Sequence, residues 1–214
     1  MPDLNPTFVG TVRQAITDGS GQDAWEDGQP YNDSTGTQTY TGDTQVQGIY
    51  CLFGYFGETI SITDIRVTIM SFDVSSINLA PSSATLKIYG HTNSATGQPT
   101  SHSSNGILCL KTIMGATDGI STADWGRLDM NGYAPVLYSD TLSSWNIGTS
   151  TVNTFTLNST ALTDIGNPYA HTFQLAIAHK FFYDHYDDAK PFAFGDNSPN
   201  GDDDFTAIAG LYTS

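Results

Sequence analysis

The chain is predicted to be all-β: a two-sheet antiparallel β-sandwich, jelly-roll-like, with long loops and at most one or two short helices. Three observations carry this. Apolar and polar residues alternate with a period of two over several short segments. Turn residues separate those segments, with 21 Gly and 9 Pro in 214 residues. Of 22 acidic residues only Glu26 and Glu58 are glutamate; aspartate favours turns and caps, so helix-surface acid is scarce.

The elements follow in order. Residues 1–48 are mostly turn chemistry, punctuated by Asp18-Gly19-Ser20-Gly21, Asp27-Gly28 and Thr41-Gly42-Asp43. Val12, Ile16, Trp25, Tyr31 and Tyr40 are scattered apolar anchors in it. A short first strand and a long loop are expected there, and the segment is assigned to docking. The sandwich domain is expected over residues 49–214, opening on the aromatic run Ile49-Tyr50-Cys51-Leu52-Phe53-Gly54-Tyr55-Phe56. Ile65, Val67 and Ile69 alternate with Asp64, Arg66 and Thr68, the mark of a half-buried strand. Ala84-Thr85-Leu86-Lys87-Ile88-Tyr89 alternates likewise and is expected to stop at Gly90, with a polar loop over 91–106. Strands are further expected at Ile107-Leu108-Cys109-Leu110, Val136-Leu137-Tyr138, 151–157, 173–178, 191–194 and 206–212. A helical turn is expected around Ala123-Asp124-Trp125, capped by Ser121 or Thr122, and a short helix over 160–165.

Charge narrows the partners. The net charge is −15 with only seven basic residues, and these do not cluster. Phosphate backbones and anionic membranes need clustered Lys and Arg, so neither nucleic acid nor membrane is expected. Cations, neutral glycans and protein surfaces remain. The start, Met1-Pro2-Asp3-Leu4-Asn5-Pro6, has neither a basic n-region nor a signal-length apolar run. No stretch approaches the roughly 20 apolar residues of a membrane span. Synthesis in the cytosol, with retention, non-classical export or release by lysis, is the expectation. Cys51 and Cys109 lie in apolar runs without C-x-x-C or Cys/His spacing, and read as buried thiols.

Several groups are weighed for chemistry. Asp184, Asp187, Asp188, Asp196, Asp202, Asp203 and Asp204 crowd the C-terminal region. Carboxylates so dense repel unless solvated or bridged by a cation, and Ca²⁺ takes such oxygen ligands from loops. Asp196, Asn200, Asp202 and Asp204 are the candidate Ca²⁺ ligands, against a solvated acidic loop. The stretch from Asp196 is not an EF-hand, because its twelfth position is Ala207. His179 and His185, beside Asp184 and Asp187, lack a standard metal-ligand spacing. Trp125 and Trp145 sit in turn-like polar contexts. They suit either a sugar-stacking platform or core and interface packing, since aromatics are enriched at protein contacts. No G-x-S-x-G, H-E-x-x-H or phosphate-binding glycine loop occurs, so no enzyme is expected.

Ser71-Phe72-Asp73-Val74-Ser75-Ser76-Ile77 followed by Ala84-Thr85-Leu86-Lys87-Ile88-Tyr89 resembles the core of DNRLRE-type β-sandwich modules, which are similar to carbohydrate-binding modules. Phe173-Gln174-Leu175-Ala176-Ile177 is similar to a later strand of that family, and the resemblance spans roughly residues 60–214. It implies a jelly-roll fold and a binding role. Members are usually secreted, whereas the acidic, Thr- and Gly-rich, leaderless composition here resembles a bacteriophage virion protein. The expected function is therefore a non-enzymatic surface protein of a phage-like particle, a capsid decoration or a fibre or adhesin component. It would sit on the virion surface, contact capsid or other virion proteins, and form a homo-oligomer that covers its edge strands. A carbohydrate-binding module is the alternative, and a polysaccharide-degrading enzyme a weaker one, since that would need two converging carboxylates.

Overall fold

The alternating segments become strands of two antiparallel sheets in a computed structural model. It describes residues 3–18, 36, 38–41, 47–56, 60–96, 106–113, 119–128, 135–146, 150–184 and 205–211. The strands are β1 (Phe8–Asp18), β2 (Gln38–Thr41), β3 (Gln47–Phe56), β4 (Ile60–Asp73) and β5 (Thr85–Thr96). They continue with β6 (Ile107–Lys111), β7 (Val152–Thr156), β8 (Thr172–His179) and β9 (Phe205–Leu211). A 3-10 helix spans Thr122–Leu128, and two short α-helices follow, α1 (Ser159–Ile165) and α2 (Lys180–Asp184). The expected all-β sandwich with few short helices is thus the fold.

β4 organises the pairing. β1 runs along one of its edges from Phe8↔Ser71 to Asp18↔Ser61. Its other edge must therefore hold both remaining partners, β3 against Ile60–Arg66 and β8 against Thr68–Asp73. The sheet forks at that point. One branch runs β3-β9-β5-β7; the other runs β8-β6. Isolated bridges Leu110↔Leu137, Ile107↔Leu142 and Ser139↔Leu157 carry the second branch round to the neighbourhood of β7. The segment around Val136-Leu137-Tyr138 forms only these bridges, not the expected strand.

The fork gives β4, β8 and β6 two covered faces. On one side Met70, Phe72, Cys109, Phe173, Leu175 and Ile177 pack against Leu86, Ile88, Phe155 and Leu157 of the facing β5–β7 pair. On the other side Ile65, Val67, Ile69, Leu108, Leu110, Ala176 and Ala178 pack against Trp125 and Leu128 of the 3-10 helix and Phe182 of α2. The expected half-buried β4 is therefore buried on both faces over residues 67–72. Of the two polar residues on that stretch, Thr68 meets Thr11 across the strands, their hydroxyls 3.0 Å apart, while the buried Ser71 hydroxyl has no partner among the described residues.

The short helices are set by their caps. Asn158 precedes α1 in an extended conformation, and its Oδ1 accepts from the Ala161 amide at 3.1 Å. Its Nδ2 donates to the Leu137 carbonyl, tying the helix to the bridging segment. Ala161 and Ile165 then enter the core. Before the 3-10 helix, the Ser121 amide and hydroxyl both donate to Asp124 Oδ2, at 2.8 and 3.1 Å. The bonds run opposite to the expected Ser121 cap: the serine donates to the Asp124 carboxylate, and its carbonyl, not its hydroxyl, accepts from the Asp124 amide.

Two boundaries differ from expectation. β1 is an integral strand, paired along its whole length and contributing Val12 to the core. The segment assigned to docking thus enters the sheet before residue 48. β5 does not stop at Gly90: it pairs with β7 up to Tyr89, shifts register between Gly90 and Thr92, and continues against β9. Glycine here marks a bulge and a close approach, not an end. A Cβ at Gly90 would lie 2.1 Å from the Asn146 carbonyl oxygen.

Candidate functional site

An open groove of about 670 Å³ lies between the N-terminal stretch, β4, β8 and the start of β5. Its floor is apolar, formed by Met70 and Phe72 of β4, Phe173 and Leu175 of β8, and Leu157 and Ile165. One wall is the N-terminal stretch Asp3–Pro6 with Val9. That wall is fastened by Thr7, whose amide and hydroxyl both donate to the Ser71 carbonyl, at 2.8 and 3.1 Å.

The opposite wall is the start of β5. Every residue from Ser83 to Tyr89 lines the groove. Side chains of one strand alternate between faces, so a surface touching one face would meet every second residue. Leu86 and Ile88 are buried while Thr85, Lys87 and Tyr89 are exposed, so β5 keeps that alternation. A groove that meets both sets must run along the strand's backbone edge. β7 occupies one edge of Thr85–Tyr89, and among the described residues no other strand pairs with this stretch.

Lys87 is the cation on this wall and Asp3 the anion on the other. Among the described residues no ion pair reaches Lys87. The other lysines among the described residues are engaged: Lys111 meets Asp164 at 2.8 Å, and Lys180 pairs with Asp184.

The residues singled out in the sequence are dispersed. Trp125 has no exposed surface, packs its ring 5.8 Å from that of Phe182, and belongs to the core. It therefore offers no face to a sugar in this fold; the 3-10 helix turned it inward through Asp124, whose buried carboxylate is satisfied by Ser121 and faces Arg127 at 3.5 Å. Trp145 is half-buried, packs against the core and approaches Gly90. The two indoles belong to different environments and form no shared platform. Asp196, Asn200, Asp202, Asp204 and His185 lie outside the described residues. Among the described residues no group of three or more His, Cys, Asp or Glu converges on a metal-sized site.

Three titrating groups are strongly shaped by burial. Desolvation raises the Cys109 thiol to about 12, opposed by a weaker hydrogen bond from Ser139. Burial likewise lowers His179 to about 4, with Asp184 acting against it and Lys180 with it. Burial raises the Tyr138 hydroxyl, and Asp164 raises it further by accepting its hydrogen bond at 2.5 Å. Asp164 thereby joins Tyr138 to Lys111, linking α1 to β6 and the bridging segment. A phenol held protonated and a thiol held neutral are weak nucleophiles near neutral pH.

Sequence reasoning missed the groove. Its signal was local: an alternating strand with a lysine at its centre, in a chain with few lysines. What makes it a groove is a missing neighbour, and that depends on the topology. No family model matches the chain, and no curated protein matches it either.

Proposed function

We propose that this chain is a non-catalytic contact protein, and more specifically a surface component of a phage-like particle, as a capsid decoration or a fibre or adhesin part. The observation that carries the reading is the open edge of β5 beside an apolar floor. A strand edge with unpaired amides and carbonyls is a template for another chain. Here it is set in a rigid frame, because the β4–β8–β6 sheet beneath it is packed on both faces. The segments resembling DNRLRE-type modules, 71–77 and 84–89, contribute to the floor and to one wall of this groove, in keeping with a binding role. The acidic, lysine-poor surface suits a protein neighbour better than a phosphate backbone.

Mass spectrometry of purified particles from the source organism tests the reading. The chain is expected at stoichiometric copy number, exposed to mild surface proteolysis. Its absence from intact particles would end the particle assignment.

A further inference from the structure

We infer that the groove takes an extended peptide segment of a partner protein, added as a strand to β5, with an acidic residue flanked by two apolar ones. The inference rests on the contact-protein reading above and names the partner's chemistry at that site.

Three observations select this occupant. The first is the wall. Thr85–Tyr89 presents its backbone edge to the groove, and among the described residues only β7 pairs with it. An aliphatic ligand would cover those amides and carbonyls without bonding them, and a buried unpaired polar group is costly. A peptide backbone bonds them, as in other strand-addition complexes. The stretch of five residues is about 17 Å long at about 3.4 Å per residue.

The second is the floor. Leu86 and Ile88 face inward, toward Met70 and Phe72 across the same core. Cross-strand neighbours share a face, so the added strand's residues opposite Leu86 and Ile88 would lie on apolar ground. At about 670 Å³ the groove is within the usual range of ligand clefts, roughly 300–1,000 Å³.

The third is charge. Lys87 stands between Leu86 and Ile88 on the outer face, with no ion pair among the described residues. The residue opposite it on an added strand is best an acid, since opposite charges directly across a sheet attract. The pattern apolar–acidic–apolar follows from register.

The test is fluorescence anisotropy of the full chain with fluorescein-labelled peptides of alternating threonine and valine. One carries a central aspartate, one a central lysine, and two carry the aspartate with alternate amides N-methylated, one for each set. The aspartate peptide is expected to bind roughly fivefold tighter than the lysine peptide. Only one N-methyl set faces β5, so one of those two peptides should lose binding and the other keep it. Lys87→Glu, an exposed change whose folding is checked by circular dichroism, should reverse the preference. No binding by any peptide, or binding indifferent to both N-methyl sets and to Lys87→Glu, overturns the inference. Displacement by decanoate with no effect of N-methylation would assign the groove to an apolar small molecule. A sedimenting dimer that Lys87→Glu dissociates and the peptide does not would assign it to a second copy. Either result also overturns the inference. The isolated chain is used throughout, so failure here leaves the particle test standing, and failure there leaves this result standing.

Discussion

Gly90→Ala is expected to destabilise the fold by about 2–4 kcal/mol. The added Cβ would lie 2.1 Å from the Asn146 carbonyl oxygen and 2.6 Å from Trp145 Nε1. The first is a backbone atom, which cannot swing aside as the end of a side chain would. Asn146 is also clamped: its amide donates to Asn153 Oδ1 at 2.8 Å, and its carbonyl accepts from Asn153 Nδ2 at 2.9 Å. Asn153 is buried on β7 opposite Ile88. Relieving the clash therefore loosens one of those bonds at a buried amide. Overpacking costs about 1–3 kcal/mol, and each weakened bond adds about 1 kcal/mol. For a chain of this size the loss corresponds to roughly 4–16 °C in midpoint. Urea unfolding, read as a change in Cm at constant m, measures it. Gly119→Ala is the control, because nothing lies within 4 Å of its Cβ position. If Gly90→Ala costs no more than Gly119→Ala, the close approach at the bulge is wrong. Adding Asn153→Ala should then cost less than its own single change, since both act on the same clamp.

Trp125→Ala should cost about 3–5 kcal/mol by leaving a cavity between the 3-10 helix and the sheet; a denaturant midpoint within error of wild type would place the indole outside the core. Cys109, in a Cys51→Ser background, should resist an aromatic disulfide reagent at pH 8 until the chain unfolds, because its thiol sits near 12; full labelling within seconds in native buffer would contradict its burial. His179, lowered to about 4 from 6.5 in the unfolded chain, makes a stability contribution that is complete above 6.5 and lost as pH falls toward 4. The unfolded chain binds the proton first over that window, at up to about 1.4 kcal/mol per pH unit, so His179→Gln should flatten the fall in midpoint between pH 6.5 and 4.5. An unchanged slope would refute a buried neutral imidazole.

The strands were legible where alternation met a local partner. β6, β7 and β8 lie close to their expected positions because their apolar residues are consecutive or strictly alternating. The second buried face was not legible. Its residues on β8 are Ala176 and Ala178, and on β4 it faces Thr68's neighbours Val67 and Ile69. Small residues read as neutral surface until a helix from elsewhere covers them. Trp125 misled for the same reason: its neighbours are polar, but Asp124 is buried with it and bonded to Ser121. The polar run after Gly90 read as a loop, yet residues 91–96 are strand, because β9 supplies the backbone partners that hydropathy does not report. The bridging segment at 136–138 erred the other way. It is apolar enough for a strand, but makes single bridges where two sheets turn into each other.

The position of β1 changes where contact with a neighbour should be sought. Composition assigned the first 48 residues to docking because they are rich in turns. Yet β1 is bonded to β4 over eleven residue pairs, and its Val12 is wholly buried. Peeling that strand away to meet a partner would expose the core it covers, a cost no surface contact readily offsets. The stretch ahead of it is different: Asp3, Asn5 and Pro6 are exposed, and Leu4 only leans on the core. That stretch already forms a wall of the groove opposite β5. An incoming strand on β5 would meet it directly. Deleting residues 1–5 should then leave the unfolding midpoint nearly unchanged while altering the affinity of the acidic peptide, whereas a deletion reaching into β1 should unfold the chain. Equal tolerance of both deletions would show that β1 is not part of the cooperative core.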